Sequence, residues 1–233
     1  MGWRLSVPWE ARGMDLYDVM RTTPAVREFT GDPLPDETLH RILDNARFAP
    51  SGGNRQGAHL IVVRDQETRQ RLATLTEPGV RRYQAQKAAG QSPWNPLEEP
   101  LPTAEEIAAT DVPASFTEPL RTAGAVLVVC VDLGLVAATD QHLDRIGLIS
   151  GASVYPLVWN VLLAARNEGF GGTITTMAVA EEPAVKDLLA IPDRFAVAAV
   201  VPLGKPVREV TKLRRNEVEE FVTRETFDGQ PFS

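Results

Sequence analysis

The chain's clearest strand signal is the run AVLVVCV at residues 125–131. A continuous apolar run of this length, rich in valine, is typical of a strand with both faces buried. A second such run covers residues 196–201 and ends at Pro202-Leu203-Gly204, and a shorter one covers residues 60–63. Because helical patterns separate these runs, with few strands between the long helices, the sequence predicts one α+β domain with a central sheet.

Apolar residues at helical spacing surround these strands. The longest such pattern, residues 145–166, is apolar on most sides, so we expect a buried helix that a second subunit helps to cover. Pro156 lies inside this pattern and should kink or split the helix, and Gly169 should end it. The other predicted elements are a helix up to Thr23, a helix capped by Asp36, a charged helix at 66–75, a strand at 173–176, a helix from Pro183 to Leu189 and a helix at 218–222.

Composition excludes several classes of function. The 233 residues are 43% apolar and 24% charged, and a net charge of −7 without a basic run argues against binding nucleic acid or an anionic membrane. A single cysteine, Cys130, excludes a disulfide scaffold, and three distant histidines (His40, His59 and His142) argue against a metal site. No apolar run approaches the roughly 18 residues that span a bilayer. Without cysteine pairs or an export signal, we expect a cytoplasmic protein.

Two segments differ from the rest in composition. Residues 1–13 (MGWRLSVPWEARG) lack the apolar centre of a signal peptide. We expect a flexible extension there, or alternatively a short ordered arm, ahead of a single folded domain at 14–233. Residues 77–119 hold seven prolines and few aliphatic runs, which is typical of a functional lid or of a partly disordered insertion. As a lid, this segment offers Tyr83, Trp94 and Phe116 to stack on flat substrates.

Three polar segments follow the ends of predicted helices or strands, where ligand sites tend to lie. Residues 21–29 (RTTPAVREF) and 212–215 (KLRR) bring cations, whereas residues 50–56 (PSGGNRQ) bring free backbone N–H groups with hydroxyl and amide side chains. Together they suit a planar anionic ligand, with cations for a phosphate and amides for the rim of a heterocycle. Taken singly, each segment is better explained as a surface ion pair, a turn or a solvated run. The chain has no G-x-G-x-x-G, Walker A, G-x-S-x-G or H-E-x-x-H motif.

Five segments, taken in order, carry a resemblance to a known family. Residues 23–29 (TPAVREF) follow the pattern R-R-S-x-R-x-F at its last Arg and its Phe, and residues 50–58 (PSGGNRQGA) follow P-S-x-x-N-x-Q-P-W as far as the Gln. Residues 157–169 are similar to a long dimer-forming helix, residues 201–204 to a V-P-x-G turn, and residues 212–214 to a K-x-R pair. In this combination the chain resembles the nitroreductase family of flavoproteins.

The resemblance implies an α+β fold with a central mixed sheet flanked by helices, and an intertwined homodimer with two FMN molecules at its interface. A cation at the N1/O2 edge of the flavin stabilises the negative charge that reduction places there. The residues that the resemblance assigns to FMN are Arg27 at this edge, Lys212, Arg214 and Arg215 at the phosphate, Thr175, Thr176 and Met177 on the N5 side, and Pro50, Ser51, Gly52 and Asn54 packing on the ring from the other subunit.

The chain departs from the family pattern at the phosphate. Thr23, Pro24 and Ala25 stand where the family has two basic residues and a serine, so positive charge is lost. Thr22 and Thr23 can donate hydroxyl hydrogen bonds, and Arg21 can supply a substitute charge, so we expect these three residues to serve the phosphate. The loop also lacks the family's closing Pro-Trp, which removes an aromatic wall.

The resemblance implies an FMN-dependent oxidoreductase that takes hydride from NADH or NADPH and passes it, by a ping-pong mechanism, to a nitroaromatic, a quinone or an activated alkene. No side chain is needed as an acid or a base, so none is assigned as catalytic. Three alternatives stay open: a flavin-dependent dehydrogenase or dehalogenase of the same fold, a non-catalytic protein that stores flavin or senses redox state, and a small-molecule binder without flavin.

Overall fold

The computed structural model describes residues 14–233 and contains a four-stranded sheet with the strand order β1-β2-β4-β3. Each neighbouring pair of strands is antiparallel. The α+β class is confirmed. The expected mixed sheet is wrong, because all paired strands are antiparallel. Within the described residues, the one parallel pairing is the isolated bridge between Ala25 and Gly172, which lies outside the paired strands. The expected extension at residues 1–13 lies outside them. The strands are β1 (Ala58–Val63), β2 (Ala125–Asp132), β3 (Gly171–Gly172) and β4 (Phe195–Gly204).

Seven α-helices of the described chain pack around this sheet. None of them is long and apolar enough to cross a membrane. Their bounds are α1 (Leu16–Thr22), α2 (Asp36–Ala46), α3 (Gln66–Ala88), α4 (Ala104–Ala109), α5 (Ala114–Thr122), α6 (Tyr155–Asn167) and α7 (Glu182–Leu189).

Helices cover both faces of β2, which explains why its sequence is apolar throughout. Leu127 and Val129 belong to a core formed with α2 and α6. Val126 and Val128 alternate with them and belong to a second core, formed with α3, α5 and α7. A strand buried on both faces has a continuous apolar sequence whether its neighbours are parallel or antiparallel, so the run at 125–131 could not decide the sheet type.

The start of α2 differs from the prediction, because Asp36 does not cap the helix. Pro35 occupies the N-cap position and offers no side-chain cap. Asp36 instead accepts a hydrogen bond from Arg64 Nη2 at 2.6 Å. Because Arg64 directly follows β1, this carboxylate ties the start of α2 to the end of that strand.

The long apolar pattern at 145–166 forms two elements rather than one kinked helix. A 3₁₀ turn at Ile149–Ser153 precedes α6, which begins at Tyr155. Pro156 therefore lies in the first turn of α6, where its missing N–H breaks no hydrogen bond. Gly169 follows the helix with a φ of +79°, the left-handed conformation in which glycine is unstrained.

The proline-rich segment at 77–119 contains regular structure. α3 continues through Pro78 to Ala88 instead of ending near residue 75, and α4 and most of α5 also lie in this segment. Thr76, Gly79 and Val80 of α3 are buried, and α3 packs closely on a 3₁₀ turn at Met177–Glu181. This tertiary contact outweighs the helix-breaking tendency of a single proline.

Two further elements lie away from their predicted positions. The strand that pairs with β4 is Gly171–Gly172, not residues 173–176. Within residues 173–176, Thr175 forms an isolated bridge to Val200. A Cβ on Gly172 would lie 2.5 Å from Pro202 O, so only glycine allows this close pairing. The predicted helix at 218–222 is a short 3₁₀ turn at Val218–Glu220.

Asp140 organises the loop before α6, and this arrangement predicts a pH dependence. Hydrogen bonding from the Leu148 N–H, followed by the Arg145 guanidinium, lowers the pKa of the Asp140 carboxyl below its ordinary 3.8. Its contribution to loop order is therefore complete above about pH 4 and is lost as the pH falls through the lower folded-state pKa. We expect the Leu148 amide to lose hydrogen-exchange protection as the pH falls below about 4. The Asp140→Asn variant should lack this pH dependence. Protection that is equal at all pH values in both proteins would contradict this role.

Candidate functional site

Arg27 is held at one end of the sheet by the segment around it. Val26 N donates to Gly172 O at 2.8 Å, and Thr30 N donates to Lys205 O at 3.0 Å. Val26 and Phe29 are buried in the second core, whereas Arg27 is exposed. Within residues 14–233, Arg27 forms no ion pair and no side-chain hydrogen bond, so its charge is free to meet a ligand.

Arg27 lines a cleft together with residues predicted from distant parts of the chain. A cavity of about 110 Å³ contains Arg27, Phe116 and residues 173–177 in its lining. An adjoining cavity of about 490 Å³ is lined by Tyr83, Trp94 and, again, Thr176 and Met177. The structure therefore brings together Arg27, the Thr175-Thr176-Met177 segment and all three aromatic residues proposed for the lid.

The aromatic residues form a fixed wall of this cleft. The Tyr83 and Phe116 rings lie 5.6 Å apart between centroids. The Arg82 guanidinium lies 4.0 Å from the centroid of the Trp94 ring, so one face of that ring is already covered by a cation. A flat ligand therefore has the remaining face of Trp94 available.

Two buried glutamines hold the loop that carries Trp94. Gln86 Oε1 accepts from Trp94 N at 3.0 Å, and Gln86 Nε2 donates to Gln91 Oε1 at 2.9 Å. Gln91 Oε1 also accepts from Leu101 N at 3.1 Å. Trp94 has a φ of +57°, which is uncommon for a large side chain, and its bond to Gln86 holds it there.

Gln86→Met should loosen this loop while keeping the volume of the side chain. The change removes the acceptor of Trp94 N, whereas Gln91 Oε1 keeps the hydrogen bond from Leu101 N. Leaving a buried polar group unpaired costs about 1–3 kcal/mol. We expect the dissociation constant of a flat aromatic ligand bound in this cleft to rise several-fold. Gln84→Met, two residues earlier on α3, is the matched control. Equal dissociation constants in both variants would show that the glutamine network does not shape the cleft.

The threonines at the end of α1 use their hydroxyl protons within the helix. Thr22 Oγ1 donates to Asp18 O and Thr23 Oγ1 donates to Val19 O, both at 2.6 Å. Thr23 is also buried, with 4% of its surface exposed. Arg21 lies over the Tyr17 ring at 5.9 Å. In this conformation neither hydroxyl proton points to a ligand, and the structure does not bring Arg21 to the cleft of Arg27.

Arg166 is a cation at this site that the sequence analysis missed. It is buried near the end of α6, and its Nε donates to Thr22 Oγ1 at 3.3 Å. Its Nη2 donates to Val210 O, also at 3.3 Å, which brings the chain just before Lys212 close to α1. Helical spacing contains the signal, because Arg166 lies four residues after the buried Leu162 and so on the same inward face.

The basic residues near the C-terminus follow this contact. Lys212, Arg214 and Arg215 are exposed, and none forms an ion pair within the described residues. The contact between Arg166 and Val210 O brings the start of this basic segment to the end of α6. Among residues 14–233, no carboxylate lines the Arg27 cleft.

The Pro50-Ser51-Gly52-Gly53-Asn54 loop lies at the opposite end of the sheet. Gly52 N donates to Ser153 Oγ at 3.2 Å, and Asp132 N donates to Gly57 O at 2.8 Å, so the loop sits beside the last residue of β2. Arg27 lies beside β3 at the other end. Gly172 of β3 and Ala125, the first residue of β2, both pair with Leu203 of β4. With eight residues and a rise of about 3.3 Å per residue, β2 separates these two ends by roughly 23 Å. One chain therefore does not bring the loop and Arg27 together.

An apolar groove of about 660 Å³ lies near the loop's end of the sheet. Val131, Leu148, Tyr155 and Ala198 are among its lining residues. Tyr155 and Trp159 of α6 are each 41% exposed, although α6 is apolar along most of its length.

The residues that line the cleft fit a flat ring such as a flavin better than a metal ion or a reactive thiol. Arg27, Thr175 and the aromatic wall offer a cation, polar groups and flat apolar surfaces in one cleft. Among residues 14–233, no group of three or more His, Cys, Asp or Glu side chains is placed to hold a metal ion. Burial raises the pKa of the Cys130 thiol to about 11, which disfavours a reactive thiolate.

Comparisons with known proteins show which family the chain resembles. The family model described as the Nitroreductase family matches residues 20–205. An Archaeoglobus fulgidus protein with the provisional name NADH dehydrogenase/NAD(P)H nitroreductase is 28% identical over 200 residues, covering 81% of this chain and 83% of that protein. An NADH dehydrogenase of Thermus thermophilus is 27% identical over 203 residues, which cover 85% of this chain and 90% of that protein.

Solved structures show the same fold. Oxidized iodotyrosine deiodinase bound to FMN and 3-iodo-L-tyrosine superposes with a TM-score of 0.65 and 25% identity, covering 91% of this chain and 100% of that chain. An NADPH:FMN oxidoreductase of Vibrio harveyi complexed with NAD⁺ gives a TM-score of 0.64 with 20% identity. The match covers 91% of this chain and 78% of the Vibrio chain.

Proposed function

Since the chain belongs to the nitroreductase family, we propose that it is an FMN-dependent oxidoreductase. It takes hydride from NADH or NADPH and passes it to a nitroaromatic, a quinone or a related flat electrophile. The two substrates use the same cleft in turn, which predicts ping-pong kinetics. The observation that carries this proposal is the unpaired Arg27 guanidinium in a cleft with an aromatic wall and no carboxylate.

When bound, FMN supplies the hydride acceptor and donor, and the side chains supply its environment. Arg27 would stabilise the negative charge that a bound flavin acquires on reduction, because the backbone beside it is tied to β3 and its guanidinium has no competing partner within residues 14–233. Thr175, Thr176 and Met177 line the cleft beside Arg27, and Lys212, Arg214 and Arg215 hold the phosphate. Tyr83, Trp94 and Phe116 position flat substrates and exclude water from them.

We also propose that residues 14–233 act as a single FMN-binding domain in which residues 77–119 form the lid over the cleft. The packing of α3 on the Met177–Glu181 turn supports this role, since it places the start of the segment against the site. A cytoplasmic location remains the prediction from composition.

The functional unit is a homodimer in this proposal. Pro50, Ser51, Gly52 and Asn54 lie roughly 23 Å from Arg27 along β2, too far for both to touch one set of three fused rings. A second copy, packed on the apolar groove and on Trp159 of α6, can bring its own loop to the cleft. Two copies would then share each site.

Steady-state kinetics test the enzymatic part of the proposal. With FMN present, oxidation of NADH or NADPH should be stimulated by a nitroaromatic or a quinone, and double-reciprocal plots at several acceptor concentrations should be parallel. Converging lines would replace the ping-pong mechanism with a ternary complex. Flavin binding without any acceptor-stimulated turnover would favour a storage or sensing protein.

A further inference from the structure

Arg166 carries a buried charge that no carboxylate in the described chain neutralises. It is 9% exposed, and its Nε and Nη2 donate to two uncharged oxygens, each at 3.3 Å. Within residues 14–233, Arg166 forms no ion pair and its Nη1 donates to no acceptor. Because burying a cation is costly unless an anion compensates it, this guanidinium is suited to an anion from outside the chain.

The position of Arg166 indicates which anion this is. Its first acceptor, Thr22, adjoins Thr23, where the family pattern has a basic residue. Its second acceptor, Val210, lies two residues before Lys212. One turn earlier on α6, Leu162 packs against Gly172, which binds the segment that carries Arg27. Arg166 therefore lies between the two segments expected at the cofactor's phosphate.

We propose that Arg166 binds the FMN phosphate together with Lys212 and Arg214, and so replaces the positive charge that is absent at Thr23. This inference rests on the proposed function and adds a binding residue from a different element. The guanidinium is a planar fork whose nitrogens match phosphate oxygens, and hydrogen bonds between ionised groups are stronger than neutral ones. The bond to Thr22 fixes the plane of the fork.

The test compares FMN with riboflavin, which differs from it only by lacking the phosphate. Dissociation constants for both are measured by quenching of flavin fluorescence with wild-type protein, Arg166→Gln and Arg166→Lys. For Arg166→Gln we expect the FMN dissociation constant to rise about 10- to 100-fold, the loss typical of a hydrogen bond to a charged group. Riboflavin binding should change less than about twofold, and Arg166→Lys should recover part of the FMN affinity.

Two further variants keep the test decisive. Arg41→Gln removes the same charge from α2, beside the end of α6 where Arg41 pairs with Glu168, and should change neither dissociation constant. If Arg166→Gln does not fold, Thr22→Val removes the acceptor that orients the guanidinium and should weaken FMN binding alone.

Different outcomes overturn different claims. Unchanged FMN affinity in Arg166→Gln, or equal weakening of FMN and riboflavin, would show that Arg166 only supports the structure and would overturn this inference. Wild-type protein that binds neither flavin would overturn the proposed function itself.

Discussion

Arg27→Ala is expected to slow the reduction of protein-bound FMN by NADH or NADPH about 100- to 1,000-fold, the usual effect of removing one fixed donor at a site of developing charge. The expectation follows from the position of Arg27, which lines the cleft and forms no ion pair within residues 14–233. FMN affinity should fall much less, because the proposal assigns the phosphate to other cations, Arg166, Lys212 and Arg214. Stopped-flow absorbance at saturating FMN measures the reduction rate directly.

Three comparison variants define this prediction. Arg27→Lys keeps the charge and should recover part of the rate. Arg47→Ala removes an exposed arginine whose partner is Asp44 on α2, and should have no effect. Lys212→Ala should do the reverse of Arg27→Ala, weakening FMN binding more than it slows reduction. Equal losses of flavin content from Arg27→Ala and Lys212→Ala, with no change in the reduction rate, would contradict the assigned roles.

Gly79→Ala is expected to lower the free energy of unfolding by about 2 kcal/mol. A Cβ at Gly79 would overlap the carbonyl oxygen of Met177, and overpacking of this kind costs about 1–3 kcal/mol. The gain in helix propensity from Gly to Ala, at most about 1 kcal/mol, offsets only part of this cost. For a chain of this size the midpoint of thermal unfolding should fall by roughly 4–8 °C.

Urea unfolding measures the loss in free energy of unfolding caused by Gly79→Ala, and a thermal melt measures the shift of the midpoint. Gly147→Ala is the matched control, because the nearest atom to its Cβ would be 3.7 Å away, an ordinary contact. Since Met177 lines the cleft, Gly79→Ala should also raise KM for the acceptor. Equal stability of the two variants would show that α3 can move away from the Met177–Glu181 turn without cost.

Local pattern predicted the strands β1, β2 and β4 from continuous apolar runs, and the helices α1, α2 and α7 from helical spacing or a proline at the helix start. It failed where a contact distant in sequence decides the conformation. α3 passes Pro78 because Gly79 and Val80 pack on the Met177–Glu181 turn, which no local pattern near Pro78 reveals. β3 pairs with β4 at Gly171–Gly172 because a residue with a Cβ at position 172 would clash with Pro202 O.

The cleft was predicted in part for a similar reason. Motif order selected Arg27 and residues 175–177, and the fold brings them into one cleft. The hydroxyl protons of Thr22 and Thr23 are bonded to α1 carbonyls, a local choice that depends on where the helix ends. Arg166 was not singled out because a basic residue in the last turn of a helix commonly serves the helix dipole. Its burial and its contact with Thr22 appear only in the packing of α6.

The visible spectrum of FMN-loaded protein under anaerobic conditions tests the central claim most directly. The proposed function predicts that the flavin bands bleach when NADH or NADPH is added and return when a nitroaromatic or a quinone follows. Flavin bands that neither nicotinamide can bleach, in protein that binds FMN, would contradict the claim that this chain is an NAD(P)H-dependent oxidoreductase.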